Sequence, residues 1–314
     1  MRVVSSPKKP MPMLGKCRLC DQNAELSESH IIPKFVTDRL KKTSATGFLR
    51  STPVINKRSQ DGLKEYMLCP SCESMFNKWE TQVANRIFYP HCRREGLRFK
   101  YGPWLLKFAV SVSWRALTYY FEHSKEKYDY SGLAVIWING ALRAWKEFLF
   151  DKRPHPGSYE QHMLLVDIIE SASNLEQFEA NINRYLTRAQ EINLVHSDGD
   201  PRFIYVKMGK MILLGLINYE NPKHWQGTKI HVKRGAIGGD VSIPEQFSKY
   251  LNERAKGMKK YDHDISQKQR QKIHEAYSKD LDHVTRSESF QAIEADVRFF
   301  GIEKAFSKAR NDES

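Results

Sequence analysis

The sequence lacks any long uncharged hydrophobic run. Its most apolar stretches are Trp104–Phe121 and Leu133–Phe150, and each contains two or more charged side chains. A helix that crosses a membrane needs roughly 20 mostly apolar residues with few or no charges. We therefore expect no membrane span and interpret both stretches as buried helices of a soluble protein.

Signals for export and for nucleotide binding are also missing. Residues 1–14 contain Lys8 and Lys9 but no apolar core of signal-peptide length. The glycines at 235, 238 and 239 lack the spacing of a phosphate-binding loop, so we interpret them as a turn. The chain has no internal repeat, Walker motif or dinucleotide fingerprint. We expect a cytoplasmic protein, in whose reducing environment Cys92 remains a free thiol.

The cysteines are few, but four of them form a pattern. Cys17-Arg18-Leu19-Cys20 and Cys69-Pro70-Ser71-Cys72 are two Cys-x-x-Cys pairs in one short region. Four thiolates fill a tetrahedral zinc shell and leave no open position, so we predict one structural zinc ion. Two disulfides are the weaker alternative, because nothing else indicates an oxidising compartment.

Positive charge is concentrated in the same region. The net charge of the 314 residues is +13, and residues 1–103 hold 19 Lys and Arg against 9 Asp and Glu. Residues 233–314 are nearly balanced, with 16 against 14. Such an excess favours a polyanionic partner, above all nucleic acid, although many basic proteins bind nothing specific. Arg93, Arg94, Arg98 and Lys100 are either phosphate contacts or a solvated linker.

The segment between the cysteine pairs has a readable local pattern. Ala24–Ile32, which contains His30, is typical of a strand or hairpin ended by Pro33. Phe35–Lys42 has the pattern of a short amphipathic helix. Residues 43–62 are rich in turn-forming residues and end in Asp61-Gly62. Leu63–Leu68 is predicted to be a strand that leads into the second cysteine pair.

From Glu73 onward the pattern is helical as far as Pro90. Phe76, Trp79, Val83 and Ile87 recur at helical spacing and form one apolar face. Glu73, Asn77 and Glu80 share a different face. We therefore predict a helix that carries oxygen-bearing side chains away from the cysteines, beside a strand that carries His30.

These features together resemble the HNH endonucleases of the ββα-metal class. The resemblance covers residues 17–90 and depends on Cys-x-x-Cys, then Ser-His-Ile-Ile-Pro at 29–33, then Leu-Cys-x-x-Cys opening a helix. It implies that His30 is the general base that activates water against a phosphodiester. It also implies a second, catalytic divalent ion, Mg²⁺ or Mn²⁺, which oxygen ligands suit.

Two positions depart from the family pattern. Ser29 stands where the family has Asp, Glu or His, and Glu73 stands where it has His or Asn. The central Asn has no clear counterpart, and Asn56 and Asp61 are the nearest candidates. We therefore predict Glu73, Asn77 and Asp61 as ligands of the catalytic ion, and interpret Glu80 as a surface charge.

The rest of the chain is predicted to be a larger helical part with a small sheet. We divide the chain into a loose basic arm (1–16), the HNH-like unit (17–90), a helical domain with a β-meander (91–255) and polar C-terminal helices (256–314). In the last two parts, the expected strands are Ile192–His196, Phe203–Lys207, Met211–Asn218 and Ile230–Val232. The expected helices are Leu175–Gln190, Pro244–Ala255, Ser266–Asp282 and Phe290–Ala309.

The sequence thus predicts an α+β protein: a zinc-stapled ββα finger followed by a helix-rich domain with a small antiparallel sheet. The expected function is metal-dependent cleavage of DNA, in a mobile-element or host-defence setting. Two alternatives remain open. One is a non-cleaving zinc module that binds DNA or RNA, and the other is an interaction subunit whose basic face meets an acidic protein. The C-terminal part leaves room for a protein partner or a homo-oligomer.

Overall fold

The structure, a computed structural model, describes residues 13–51, 54–124, 132–172, 177–258 and 264–306. It combines small antiparallel sheets with helices. The strands in chain order are β1 (Met13–Lys16), β2 (Asn23–His30), β3 (Leu49–Ser51), β4 (Val54–Ser59), β5 (Lys64–Leu68), β6 (Arg98–Tyr101), β7 (Gln161–Leu165), β8 (Gln190–Ser197), β9 (Asp200–Met208), β10 (Met211–Leu216) and β11 (Gly235–Gly238). The helices in chain order are α1 (Lys34–Lys42), α2 (Pro70–Val83), α3 (Tyr89–Cys92), α4 (Trp104–His123), α5 (Leu133–Leu149), α6 (Ile182–Arg188), α7 (Glu245–Gly257), α8 (Gln267–Lys279), α9 (Leu281–Arg286), α10 (Glu288–Phe300) and α11 (Ile302–Phe306).

The N-terminal sheet has the strand order β1–β2–β5, and α2 follows β5 directly. Both strands predicted here are present, as β2 and β5. The edge strand β1 comes from the segment expected to be a loose arm, whose first 12 residues lie outside the described residues. The connection 43–62 contains the hairpin β3–β4.

Helix α2 begins at Pro70, earlier than the predicted start at Glu73. Proline suits the first helical position because its φ is already helical and it has no N–H to satisfy. Cys69, just before it, is extended, with φ −73° and ψ 160°. Cys72 and Glu73 therefore both lie at the beginning of the helix, next to the end of β5.

The helical segment does not end at Pro90 as predicted. A π-helical turn over Ala84–Phe88 joins α2 to α3, and Tyr89 donates its N–H to the Ala84 carbonyl. Pro90 then lies in the first turn of α3. Proline has no backbone N–H, so Pro90 cannot donate a helical hydrogen bond. The π turn just before it uses i→i−5 instead of i→i−4 hydrogen bonds and so shifts the bonding pattern next to the missing donor.

The larger sheet has the order β7–β10–β9–β8, with every pairing antiparallel. The predicted β-meander is confirmed as β8–β9–β10. Strand β7 adds an edge that the sequence did not indicate, because its residues do not alternate between polar and apolar. The helix expected over Leu175–Gln190 is shorter: residues 173–176 lie outside the described part, α6 covers Ile182–Arg188, and Gln190 opens β8.

A separate two-stranded ribbon pairs β6 with β11. We predicted a strand at Ile230–Val232 and a turn at Gly235, Gly238 and Gly239. In the structure the strand β11 covers Gly235–Gly238, so both predictions are wrong. A Cβ at Gly235 would lie 2.3 Å from the Tyr101 hydroxyl, so the buried Tyr101 ring needs glycine opposite it. The same hydroxyl accepts a hydrogen bond from the His231 N–H at 3.0 Å.

Helix α4 lies at the centre of the described structure and contacts α2, α5 and strands of the larger sheet. One continuous cluster of buried apolar side chains includes Phe76 of α2, Trp145 of α5 and Ile237 of β11. The units predicted over 17–90 and 91–255 therefore contribute to a common core, and the boundary at residue 90 stays a prediction. Every helix in the described residues is too short or too polar to cross a membrane.

The C-terminal helices pack back on earlier parts of the chain. Pro244 precedes α7, as predicted. The Glu288 side chain at the start of α10 pairs with Arg39 of α1 and, at 3.1 Å, with Arg188 of α6. The buried Asp296 accepts hydrogen bonds from the backbone N–H groups of Asn183 and Arg184, at 2.9 and 3.2 Å. Burial raises the pKa of Asp296 to about 6.

Arg115 of α4 ties the centre to the N-terminal unit, and its side chain is only 1% exposed. It donates to the His30 carbonyl at 2.9 Å and to Glu80 Oε1 at 2.5 Å. Its guanidinium also lies 5.2 Å from the centre of the Phe76 ring. Glu80, interpreted from the sequence as a surface charge, is instead the anionic partner of a buried cation.

We predict that Arg115→Met lowers the free energy of unfolding by about 3–5 kcal/mol, because it leaves Glu80 as an unpaired and mostly buried carboxylate. Urea unfolding at neutral pH measures the change. The matched control is Arg143→Met on the exposed side of α5, for which a change within about 0.5 kcal/mol is expected. A loss below about 1 kcal/mol for Arg115→Met would show that this pair does not hold the two parts together.

Candidate metal centre and His30 site

The four paired cysteines converge at the base of the N-terminal sheet. Cys17 and Cys20 flank a tight turn between β1 and β2, in which Cys17 donates its N–H to the Gln22 carbonyl at 2.8 Å. Asp21 completes the turn with a φ of 64°. Cys69 lies between β5 and α2, and Cys72 lies in the first turn of α2. The turn and the helix start therefore meet at the four sulfur atoms.

The sulfur positions fit one metal ion. The four candidate ligand atoms lie within 4.8 Å of one another, and the Cys20 and Cys69 sulfurs are 3.7 Å apart. Tetrahedral zinc with Zn–S bonds of about 2.3 Å separates its sulfur ligands by about 3.8 Å. A disulfide requires about 2.05 Å, and all five cysteines are free thiols. The predicted cysteine set is therefore confirmed as a cluster that could hold a metal ion, and zinc suits its chemistry.

The electrostatics of the cluster also favour a cation. Burial, and then contact with Cys69, raise the pKa of the Cys72 thiol well above its usual range. At Cys69 burial also raises the pKa, but hydrogen bonds, first from Ser71, outweigh it and lower the pKa to about 6. Four thiols packed this closely cannot ionise together in an apolar setting. A bound divalent ion deprotonates coordinating thiols, because its charge outweighs both their burial and their mutual repulsion.

Ser29 and Glu73 meet where β2 touches the start of α2. The Ser29 hydroxyl, on a fully buried residue, donates to Glu73 Oε2 at 2.7 Å. These are the two positions at which the sequence departs from the HNH pattern. In the structure they are direct neighbours, although 44 positions separate them in the chain.

His30, the last residue of β2, meets a different partner. Its Nε2 lies 2.8 Å from Asp61 Oδ1, in the turn before β5. Asp61 also accepts the Gly62 N–H at 2.8 Å and pairs with Lys64 Nζ at 2.6 Å. Burial opposes its ionisation, but the hydrogen bonds from Lys64 and then His30 outweigh that effect and hold the pKa of Asp61 well below its usual range.

The contact with Asp61 assigns the tautomer of neutral His30. An ionised carboxylate only accepts hydrogen bonds, so Nε2 carries the proton and Nδ1 keeps its lone pair. Nδ1 has no hydrogen-bond partner among the described residues. The His30 side chain as a whole is 15% exposed.

The predicted site residues thus form two neighbouring pairs. His30 is joined to Asp61 and Ser29 to Glu73. The pairs are separated by one peptide unit of β2, about 3.8 Å between Cα atoms. Asn77 is exposed on α2, about one turn beyond Glu73.

The remaining candidates lie elsewhere. The side chain of Asn56 donates to the Asp264 carbonyl at 3.1 Å and accepts the Ser266 N–H at 2.8 Å, so it is committed to the C-terminal part. Of the two candidates for the central Asn, only Asp61 contacts His30. In the part of the chain that the structure describes, the cysteines are the only group of three or more Cys, His or acidic side chains close enough to share an ion.

Sequence reasoning missed two residues that support His30. Lys64 pairs with Asp61, and the only sequence signal for this pair was weak: Lys64 lies three residues after an aspartate in a predicted turn. Arg115 donates a hydrogen bond to the His30 carbonyl. Nothing in the local sequence of α4 indicates this contact.

Comparisons with protein-family models, with curated proteins and with solved structures found no match. The resemblance to HNH endonucleases therefore depends on the sequence motifs alone.

We predict that Cys17→Ser abolishes tight zinc binding and unfolds the N-terminal unit, because the metal-binding free energy of a small metal site is also folding free energy. Elemental analysis of protein purified without chelator measures zinc, and circular dichroism follows unfolding. The wild type is expected to hold one zinc ion per chain. Cys92→Ser, which changes a buried cysteine outside the cluster, is the matched control and should keep its zinc. A zinc-free wild type would contradict the assignment.

Proposed function

We propose that the protein is a metal-dependent endonuclease of the HNH type that hydrolyses phosphodiester bonds of DNA. The observation that carries the proposal is the His30–Asp61 pair at the end of β2, beside a helix that starts at a four-cysteine cluster. Strand β2 pairs antiparallel with β5, and α2 follows β5, which is the order of a ββα-metal unit with α1 and the β3–β4 hairpin inserted between the two strands. The basic excess of residues 1–103 supports a polyanionic substrate.

His30 has the properties that a general base requires. A base must present a lone pair near neutral pH and be held in one orientation. Asp61 holds Nε2–H, and Arg115 holds the backbone carbonyl of the same residue. Nδ1 is then the atom that accepts a proton from the attacking water, and the ionised Asp61 stabilises the imidazolium that forms.

The residues around Glu73 fit a divalent ion with few protein ligands. Mg²⁺ prefers oxygen ligands and is often held by one or two carboxylates together with substrate phosphates and water. Glu73, with Asn77 one turn further along, would supply the protein ligands, and Ser29 fixes the Glu73 carboxylate. When bound, such an ion stabilises negative charge on the leaving oxygen. Asp61, predicted as a third ligand, supports the base instead.

Ser29 favours a second candidate function. A residue with a carboxylate or imidazole at this position would supply one more metal ligand, but the Ser29 hydroxyl is buried and bonded to Glu73. A site with this loss could bind nucleic acid without cleaving it. Plasmid cleavage in Mg²⁺ or Mn²⁺ separates the two functions.

We predict that His30→Ala reduces DNA cleavage by roughly 10²–10⁴-fold, which is the usual contribution of a positioned general base. Zinc content and DNA affinity should not change. His224→Ala, at an exposed histidine far along the chain, is the matched control and should cleave like the wild type. Asp61→Asn should also reduce the rate, because the amide can hold His30 in the wrong tautomer. If His30→Ala cleaves at the wild-type rate, His30 is not the base.

Glu73→Ala tests the metal separately from the base. We expect the variant to lose cleavage in low Mg²⁺ and to recover part of it as Mn²⁺ is raised, because a site with fewer ligands needs more metal. Raising Mn²⁺ should not rescue His30→Ala. Equal rescue of both variants, or of neither, would contradict a ligand role for Glu73.

A further inference from the structure

The β6–β11 ribbon brings together cations from two distant segments. Arg98 and Lys100 lie on β6, and both side chains are exposed, whereas Tyr101 is buried. Lys233 and Arg234 lead into β11 and are also exposed. The strands pair so that Gly238 lies opposite Arg98 and Ala236 opposite Lys100. The strand pairing therefore brings two segments that carry four exposed cations next to each other.

These cations differ from the arginines that precede them. Arg93 pairs with Glu95, and Arg94 pairs with Asp167 and Glu170. Among the described residues, neither Arg98, Lys100, Lys233 nor Arg234 takes part in an ion pair. Asp240, which follows β11, is the one acidic residue of these two segments, 98–101 and 233–240. The surface thus keeps a clear excess of positive charge.

The shape of the ribbon suits a nucleic-acid backbone. Arg98 and Lys100 point to the same face, and residues two apart on a strand are about 7 Å apart. Their partners across the ribbon, Gly238 and Ala236, have almost no side chain, so the cations stand clear of their surroundings. Ile237 is fully buried and fixes the ribbon to the body of the protein. A two-stranded ribbon is also narrow enough to enter the major groove of DNA.

We propose that this ribbon is a phosphate-binding surface that holds the backbone of duplex nucleic acid, outside the His30 site. An acidic protein partner fits less well, because the core of a protein interface is enriched in aromatic side chains. On β6 the exposed side chains are the cations Arg98 and Lys100, whereas the aromatic Phe99 is only partly exposed and Tyr101 is buried. The exposed surface of this strand is therefore poor in the aromatic side chains that a protein interface would use. Binding by the ribbon does not depend on cleavage, so this proposal stands separately from the proposed nuclease activity.

The test measures binding of full-length, zinc-loaded protein to a fluorescein-labelled duplex of mixed sequence, without added Mg²⁺ or Mn²⁺, over a series of salt concentrations. Each phosphate contact contributes about 0.9 to the slope of log K against log salt. Arg98→Ala/Lys100→Ala and Lys233→Ala/Arg234→Ala should each lower the slope by about 2 and weaken binding by tenfold or more at about 0.1 M salt. All four side chains are exposed, and thermal melts check that each variant folds.

The matched control is Lys249→Ala/Arg286→Ala, which removes the same charge from exposed positions with carboxylate partners one helical turn away. It should leave the slope unchanged. The proposal is overturned if the ribbon variants behave like this control, if the wild type does not bind the duplex, or if it binds polyglutamate or phosphatidylserine vesicles more tightly than the duplex. If the wild type does not cleave DNA in Mg²⁺ or Mn²⁺ while the ribbon variants lower the slope, the nuclease proposal fails and the ribbon proposal holds.

Discussion

The N-terminal unit depends on the convergence of four cysteine sulfurs. A sheet of three short strands buries little surface, and small sheets are rarely stable without help from packing or metal. The cysteines come from a turn, from the end of a strand and from the first turn of α2, so a metal held by all four fixes these elements relative to one another. The start of α2 is then fixed against β2, which places Glu73 beside Ser29.

The chemistry proposed for His30 is a consequence of this constraint together with contacts from outside the unit. Arg115 reaches from the central helix to the carbonyl of His30, and Asp61 reaches from the turn to its imidazole. Lys64 keeps Asp61 ionised. The histidine is therefore held at both its backbone and its ring, and only Nδ1 is left to react. Ser29, which directly precedes His30, and Glu73 form a neighbouring oxygen-rich position.

The features that the sequence predicts are those that depend on residues close together in the chain. Cysteine pairs, the strand with His30 and the β-meander were predictable, because ligand spacing and side-chain alternation are local properties. The position of β11 was not predictable. Glycine is required at position 235 because the ring of Tyr101, which lies far away in the sequence, leaves no room there for a Cβ atom. Asn56 and Asp61 were the sequence candidates for the central Asn of the motif, and only the three-dimensional fold shows that Asp61 contacts His30. Arg115 gave no signal at all, since a charged residue in an apolar helix does not reveal which carboxylate it meets.

Cobalt substitution tests the central claim most directly. Co²⁺ bound by four thiolates in tetrahedral geometry gives intense visible d–d bands and strong thiolate-to-metal charge-transfer absorption. We expect both when zinc is replaced by Co²⁺, with saturation at one ion per chain and displacement by added zinc. A weak, octahedral-type spectrum, or thiolate charge-transfer absorption that saturates at any other stoichiometry, would contradict a closed four-cysteine site and the arrangement of β2 and α2 that depends on it.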